Sequence, residues 1–358
     1  MAWRVRVTPA DGASGISCAR SPSLGRIVAL GNRWDPAIVY SDDDGVTWAA
    51  ADPNALDLQF AGGVCWAAFL NLFVAVGTTT TAKAIIITSS DGITWATQTH
   101  PWDAVLSELH GIDSDETNSL LVAVGRRQSN GFIYLDSSDA TAWVEHDIAP
   151  LSTAQAVKRL PNISRWVVVG VPDALAEAIC TSPDTTVWTG VASGFDQGLA
   201  SSVGQLNNGN IVVGGAGIAG ESLVQSSDGG VSFVTKVTPF DGGTINGIGV
   251  GSDVVYLGGV DVTGKRVLAT SVNDGATYAF ETHPFDSAGG GGQLTSFVLS
   301  GTTWVSVGQN DAVTEMVATS RGLSRQPVYQ RIYGIPVEID DNGVETVREL
   351  IVGIVGAP

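Results

Sequence analysis

The chain has 358 residues and a formal net charge of −18, with 44 glycines, 44% hydrophobic residues and only 15% charged residues. This negative charge repels nucleic acids and anionic membrane surfaces, so both are excluded as partners. No apolar run reaches the roughly 20 residues of a membrane span, and the many glycines indicate short strands joined by tight turns.

Residues 1–7 alternate apolar and polar side chains and lack the apolar core of a secretory signal. We therefore expect synthesis in the cytoplasm without secretion. The three cysteines, Cys18, Cys65 and Cys180, are odd in number and lack metal-ligand spacing, so neither disulfides nor a metal site is predicted. Cys18 and Cys65 are 47 residues apart, a spacing that predicts equivalent positions in neighbouring repeats.

A short motif of hydroxyl, acidic, glycine and aromatic residues recurs along the chain, first at residues 41–48 (SDDDGVTW). Later copies are residues 88–95 (TSSDGITW), 136–143 (DSSDATAW), 181–188 (TSPDTTVW), 226–233 (SSDGGVSF) and 271–278 (SVNDGATY). Their aromatic residues are separated by 47, 48, 45, 45 and 45 residues. This period is typical of a four-stranded propeller blade.

These segments, which we call box turns, resemble the Asp-box (BNR) repeat of sialidase-like β-propellers, Ser-x-Asp-x-Gly-x-Thr-Trp. Hydroxyl and carboxyl side chains can bond the amides of a turn, glycine supplies an unusual backbone angle, and the aromatic fills space between blades. The motif therefore predicts structural rather than catalytic residues. They are Ser41, Asp43, Gly45, Trp48, Gly92, Trp95, Trp143, Trp188, Asp228, Gly230, Phe233, Gly275 and Tyr278.

An apolar run that ends in glycine precedes most box aromatics by about 18 residues, as at residues 27–31, 73–77 and 121–125. Continuous apolar runs favour strands that are buried on both faces. Each repeat is therefore predicted to form an inner strand A, a buried strand B, a strand C, the box turn and an outer strand D.

The seventh repeat, residues 291–320, supplies three strands but no box aromatic. Residues 3–12 align without gaps to residues 233–242, and Trp3 lies 45 residues before Trp48. The sequence therefore predicts an all-β, seven-bladed propeller of four-stranded antiparallel blades, in which the N-terminal strand closes the last blade. A competing register, with residues 328–333 as the closing strand, leaves Trp3 without a role.

Two domains are predicted, the propeller at residues 1–322 and a C-terminal extension at residues 323–358. Asn342-Gly343 between two apolar segments is a strong hairpin signal. Residues 350–356 are strongly apolar, so the extension is expected either to fold back on the propeller or to dock into a partner.

The resemblance implies an active face opposite the box turns, but the family's three arginines, tyrosine–glutamate pair and acid have no match by motif. The B–C loops are short, so we expect a shallow face without catalytic residues, no enzyme activity and no cofactor. Arg33, Trp34, Arg126 and Arg127 lie in these loops and are candidate ligand-binding residues, since exposed Trp and Arg are favoured at binding sites.

The D–A loops repeat a proline, a variable residue and an aspartate, at residues 9–11, 101–103, 239–241 and 284–286. Two interpretations stay open. The aspartate caps a turn while the residue before it wedges between blades, or the carboxylates form a ring that binds a cation.

The sequence favours a non-enzymatic component of a tailed-bacteriophage virion, similar to Asp-box propellers encoded among phage structural genes. It would dock on other virion proteins through residues 323–358 and serve in decoration, in the tail or in host adsorption. The alternative is a sialidase-like propeller that binds or hydrolyses glycans, including a host surface glycan. A third candidate resembles propellers that help assemble photosystem II, but the arginine-rich patch expected there is not evident.

Overall fold

A computed structural model describes residues 3–10, 14–32, 37–51, 57–127, 133–147, 151–173, 177–195, 198–240, 242–281, 293–309, 316–321, 337–339 and 345–347. It confirms an all-β propeller of seven blades, each an antiparallel sheet of four strands. Among these residues the only helical segment is the 3-10 turn Pro161–Ile163. The chain divides into two compact units, Met1–Gly322 and Leu323–Pro358.

The strands of blades 1 to 3, each from the inner to the outer strand, are β2 (Ser14–Ser21), β3 (Arg26–Asn32), β4 (Ile38–Ser41), β5 (Ala49–Ala50); β6 (Phe60–Ala67), β7 (Leu72–Thr78), β8 (Ala84–Ser89), β9 (Ala96–Gln98); and β10 (Ser107–Asp115), β11 (Leu120–Arg127), β12 (Ile133–Ser137), β13 (Val144–Asp147). Blades 4 to 6 are β14 (Leu151–Leu160), β15 (Arg165–Pro172), β16 (Ile179–Ser182), β17 (Thr189–Val191); β18 (Leu199–Gln205), β19 (Ile211–Ala216), β20 (Leu223–Ser226), β21 (Val234–Thr235); and β22 (Thr244–Val250), β23 (Val255–Val260), β24 (Arg266–Ser271), β25 (Ala279–Glu281). Blade 7 is β26 (Gln293–Ser300), β27 (Thr303–Gln309), β28 (Val317–Arg321) and β1 (Trp3–Arg6).

The N-terminal strand completes the last blade, as predicted. β1 lies antiparallel to β28, with Trp3 opposite Ser320. The first strand therefore occupies the place that the competing register gave to residues 328–333. Because β1 pairs with β28, the third strand of blade 7 does not leave an unpaired edge.

The C-terminal unit contains the two strands β29 (Val337–Ile339) and β30 (Glu345–Val347), which pair antiparallel with Val337 opposite Val347. A hairpin at this point was predicted. The Asn342-Gly343 turn and the apolar residues 350–356 lie outside the described residues.

Seven hydrophobic clusters fill the seven junctions between neighbouring blades. Each cluster holds one aromatic from the repeat series, which packs its own blade against the preceding one. Trp95 of blade 2, for example, shares a cluster with Val28 and Leu30 of blade 1. In the order of blades 1 to 7 the aromatics are Trp48, Trp95, Trp143, Trp188, Phe233, Tyr278 and Trp3.

The box turns connect the third and fourth strands of blades 1 to 6, and their serines bond the backbone. In each turn the serine Oγ accepts the amide at the glycine position, at 2.7–3.0 Å. The pairs are Ser41–Gly45, Ser89–Gly92, Ser137–Ala140, Ser182–Thr185, Ser226–Gly230 and Ser271–Gly275. Because these amides are buried, each hydroxyl satisfies a donor that water cannot reach.

The glycine position of every box turn has a positive φ, a conformation that favours glycine. Ala140 and Thr185 adopt it without being glycine, with φ of 61° and 68°. The box aspartates accept further amides, which lower the pKa of Asp139 to about 2 through bonds from Ala142 and Thr141. The turn is thus fixed by side-chain to backbone hydrogen bonds.

All three cysteines are buried free thiols. Cys18 lies opposite Ala29, whereas Cys65 lies opposite Val74. Ala75, the equivalent of Ala29 in the next blade, is instead paired with Val64. The predicted equivalence of the two cysteines is therefore wrong by one residue. No helix in the described part of the chain is long and apolar enough to cross a membrane.

Candidate functional site at the mouth of the central channel

The seven inner strands all begin at the face of the propeller opposite the box turns, which we call the entry face. The loops from B to C and from D to A strands lie at this face by the antiparallel topology. A cavity of about 450 Å³ occupies the centre of the ring and is lined by residues from all seven inner strands. We call it the central channel.

Every inner strand carries a one-residue β-bulge at the same level of the channel. The bulged residues, which we call the bulge ring, all line the cavity. In the order of blades 1 to 7 they are Ile16, Gly62, His110, Gln155, Ser201, Asn246 and Thr295. A bulge re-aims the side chain of its extra residue, so this ring places apolar, imidazole, amide and hydroxyl side chains around one opening.

Three bulge-ring side chains bond the next blade in the same way. Ser201 Oγ donates to the carbonyl of Ile245 at 2.5 Å, and Thr295 Oγ1 donates to that of Gly15 at 2.8 Å. His110 Nδ1 lies 2.7 Å from the carbonyl of Ala154. Each carbonyl belongs to the residue just before the next bulge, so these bonds latch neighbouring blades together.

Gly62 occupies the same place in blade 2 without a side chain. A Cβ there would lie 2.3 Å from the carbonyl oxygen of Leu109, the residue before the bulge of blade 3. Only glycine allows the two inner strands to approach this closely. The inner strands of blades 2 and 3 are therefore tightly packed beside His110.

His110 has a second hydrogen-bonding nitrogen, which the serine and threonine latches lack. Its Nε2 lies 3.1 Å from Oε2 of Glu108, two residues earlier on β10. The two ring nitrogens of His110 therefore contact one backbone carbonyl and one carboxylate.

Arg126 fixes the carboxylate that faces His110. Its Nε and Nη2 lie 2.9 and 3.0 Å from the two oxygens of Glu108. The hydrogen bond from His110 and then those from Arg126 lower the pKa of Glu108 to about 2, so Glu108 stays ionised at neutral pH. Bidentate pairing also limits rotation of the carboxylate.

A second ion pair lies at the same end of blade 3. Arg127 Nη1 donates to Oε1 of Glu145 at 2.8 Å, and the indole of buried Trp102 donates to Oε2 at 2.7 Å. Blade 3 therefore has two arginine–carboxylate pairs at the entry face, and the Glu108 pair contacts His110 of the bulge ring.

Two of the four predicted ligand-binding residues, Arg126 and Arg127, lie at this end of blade 3, and both are already bonded to carboxylates of the chain. Arg33 and Trp34 lie outside the described residues. A ligand role for any of the four stays a prediction. Instead of an open guanidinium, Arg126 has one that is paired with Glu108, and the carboxylate of Glu108 also contacts His110.

The D–A loops place their variable residue between blades. Ala10, Trp102, Phe195 and Phe240 each lie seven residues after a repeat aromatic and are buried. Each of their amides bonds a side chain two residues earlier, Thr8, His100, Ser193 and Thr238 respectively. Asp103 accepts the amide of His100 at 3.0 Å, as a turn cap does. Asp11, Asp241 and Asp286 lie outside the described residues.

His110 was missed by sequence reasoning, because its partners become visible only through strand register. Glu108 and Arg126 are 18 residues apart and face each other directly across the β10–β11 hairpin. An alignment of the seven inner strands would have placed His110 in a column with Gln155, Ser201 and Asn246. Within the described residues, no group of three or more His, Cys, Asp or Glu side chains could hold a metal ion.

No protein-family model matches the chain, and no curated protein matches it in sequence. The fold is similar to that of virginiamycin B lyase from Staphylococcus aureus, with a TM-score of 0.68 and 10% identity over 89% of this chain and 98% of the lyase. A catalytically inactive histidine-to-alanine variant of that lyase, with quinupristin, gives a TM-score of 0.67 at 10% identity over 89% and 98%. A streptogramin B lyase gives 0.65 at 12% identity over 88% and 95%. At these identities the likeness concerns the fold alone.

The prediction that the chain is not an enzyme is contradicted to this extent: solved propellers of the same fold that match nearly its whole length are lyases, so the fold is compatible with an enzyme. That prediction rested on short B–C loops, which were expected to leave only a shallow face. The cavity is instead enclosed by the inner strands themselves, so loop length does not limit its depth.

Proposed function

We propose that the propeller binds a small, oxygen-bearing ligand in its central channel and that His110 donates a proton to it. The observation that carries this proposal is that His110 lines the channel while its Nε2 lies 3.1 Å from the carboxylate of Glu108. Proton donation by a positioned side chain typically accelerates a reaction by about 10²–10⁴-fold.

The structural role of His110 does not require a histidine. The latch to the next blade needs one donor, which Ser201 and Thr295 supply with a hydroxyl. The Nε2 atom of His110, with its contact to Glu108 and through it to Arg126, is not needed for the bond to the next blade. A histidine at a cavity wall, held by a carboxylate that an arginine pairs with, is an arrangement also found at acid–base sites.

The similar propellers add support of a second kind. One of them is catalytically inactive after a single histidine is replaced by alanine. A lyase breaks a bond without water, and its leaving group gains a proton, so a histidine at a channel wall suits such chemistry. The glycan alternative fits the same channel, since the amide side chains of Gln155 and Asn246 in the bulge ring suit a sugar.

The test compares wild type with His110→Thr on a panel of virginiamycin B, quinupristin and 4-nitrophenyl glycosides, followed by mass spectrometry. Threonine keeps the latch, as at position 295, and removes only the second nitrogen. We expect one panel member to be converted and the rate to fall by about 100-fold in the variant.

Ser201→Ala is the matched control, because it removes a latch of the same geometry without touching His110. It should lower stability and leave turnover unchanged. Turnover that survives His110→Thr, or no conversion of any panel member, would contradict the proposal.

A second candidate, a component of a tailed-bacteriophage particle, is favoured by the separate C-terminal unit Leu323–Pro358. We propose that this unit docks on another particle protein, because it carries a hairpin and a strongly apolar end on an otherwise acidic chain. Mass spectrometry of purified particles should find the full chain at a fixed copy number, and a chain that ends at Gly322 should be lost from them. Equal incorporation of both would contradict this role.

A further inference from the structure

Lys158 is a charged group inside the channel that the proposed proton transfer does not use. It is one of four lysines in a chain of net charge −18, and it lines the cavity three residues after Gln155 of the bulge ring. Its side chain is 49% exposed although it belongs to an inner strand. The exposed part therefore faces the channel.

The partner of Lys158 engages only part of its ammonium group. Nζ lies 3.2 Å from Oδ1 of Asp113, while Oδ2 of Asp113 accepts the amide of Arg159 at 2.8 Å. An ammonium has three donors, so two remain for a ligand. The charge of Asp113 raises the pKa of Lys158 against the opposing effect of burial, so the group stays a cation.

The rest of the channel wall is also rich in donors. Gln155 and Asn246 line the cavity, and their amide groups have no hydrogen-bond partner within the described residues. Asp113 is the one carboxylate among the described residues of the lining, and both of its oxygens are bonded. The wall therefore suits a ligand that brings acceptor oxygens.

We propose that the channel ligand carries a carboxylate and that Lys158 binds it, with Gln155 and Asn246 bonding further oxygens. This inference rests on the proposed function, because it places the ligand in the same cavity. The net charge of the chain opposes the entry of polyanions, so the ligand is a monocarboxylate with neutral hydroxyl or carbonyl groups.

Gluconate and glucitol test this, since they share a polyhydroxy chain and differ in one terminal group, carboxylate against alcohol. Binding of each to the full chain is measured by ligand-observed NMR titration at low salt. We expect gluconate to bind at least about tenfold more tightly than glucitol. A charge-assisted hydrogen bond lowers a dissociation constant by roughly ten- to a hundredfold.

Lys158→Met keeps the length of the side chain and removes the ammonium. The substitution should weaken the binding of gluconate by about tenfold or more and leave the binding of glucitol unchanged. Lys265→Met, at an exposed lysine outside the cavity lining, is the matched control and should change neither. Gluconate that fails to bind, or that binds Lys158→Met as well as wild type, would overturn the inference.

The outcome is separable from that of the proposed function. If His110→Thr abolishes turnover while gluconate binding ignores Lys158, the carboxylate assignment fails and the proton donor stands. If gluconate binding depends on Lys158 while no panel member is converted, the carboxylate assignment stands and the proton donor fails.

Discussion

Trp3 and Tyr256 meet edge to face, with ring centroids 5.2 Å apart and an interplanar angle of 76°. Tyr256 belongs to blade 6, whereas Trp3 begins the strand that completes blade 7. Trp3 also approaches Phe297 of blade 7, with centroids 6.4 Å apart. One side chain therefore seals the last junction of the ring and anchors its closing strand.

Trp3→Ala should lower the free energy of unfolding by about 3 kcal/mol, because it removes a large aromatic from the junction between blades 6 and 7. Chemical denaturation followed by far-ultraviolet circular dichroism measures the change. Arg4→Ala, on the exposed side of the same strand, is the control and should stay within about 0.5 kcal/mol. Equal effects would show that the junction does not depend on Trp3.

Ser226→Ala should cost about 1–2 kcal/mol, because the buried amide of Gly230 loses its acceptor. The neighbouring Ser227 is exposed and supplies the control substitution Ser227→Ala, with almost no effect expected. Urea midpoints compare the two variants. Stability unaltered in Ser226→Ala would mean that the box hydroxyl is dispensable.

Acid should destabilise the propeller through its box aspartates. Hydrogen bonds from Ser232 and then from Ser226 hold the pKa of Asp228 below its ordinary value. A carboxyl with a lowered folded pKa adds stability above its unfolded pKa of about 3.9, and this stability is lost as pH falls through the folded pKa.

Asp228→Asn should therefore flatten the decline of stability below about pH 4 while preserving the fold. Asn273 already occupies this place in blade 6, where its Oδ1 accepts the amide of Thr277 at 3.0 Å. Thermal melts between pH 7 and pH 2.5 provide the comparison. An acid profile identical to that of wild type would count against this role.

Arg159→Met should be among the more damaging single substitutions. Arg159 Nε lies 2.6 Å from Oδ2 of Asp115, and both side chains are buried, so the variant leaves a carboxylate without its cation. A cost of about 3–5 kcal/mol is expected. Lys158→Met at the adjacent position should cost less, because half of the Lys158 side chain is exposed and Asp113 keeps its hydrogen bond from the amide of Arg159. Similar melting temperatures for the two variants would contradict this.

The three thiols should resist modification in the folded chain. Burial raises the pKa of Cys18 and of Cys180 to about 12, and it also raises the pKa of Cys65. A disulfide exchange reagent at pH 8 should label none of them in the native protein and three after unfolding. Rapid labelling of any thiol would show that a blade junction opens under native conditions.

The repeat, the blade count and the closing strand could be predicted, because they follow from spacing. Trp3 in phase with Trp48 was enough to place the first strand in the last blade. The spacing of Cys18 and Cys65 misled, because the distance between inner strands is one residue shorter than that between box aromatics in these blades.

The candidate site could not be predicted in the same way. Each bulge adds a residue that lines the channel instead of joining the packed core, so it leaves no mark on the hydrophobic pattern. The approach of Glu108 to Arg126 depends on the register that follows from the bulge at His110. Pairwise contacts of this kind need coordinates or an aligned set of repeats.

Closure by β1 constrains how the propeller is made. Trp3 is synthesised more than 300 residues before its neighbour Ser320. At about 5–20 residues per second, the closing strand waits at least 15 seconds for its partner. A prematurely terminated chain would keep both the first strand and its last complete blade unpaired, and is therefore expected to be a substrate for proteases and chaperones rather than a smaller propeller.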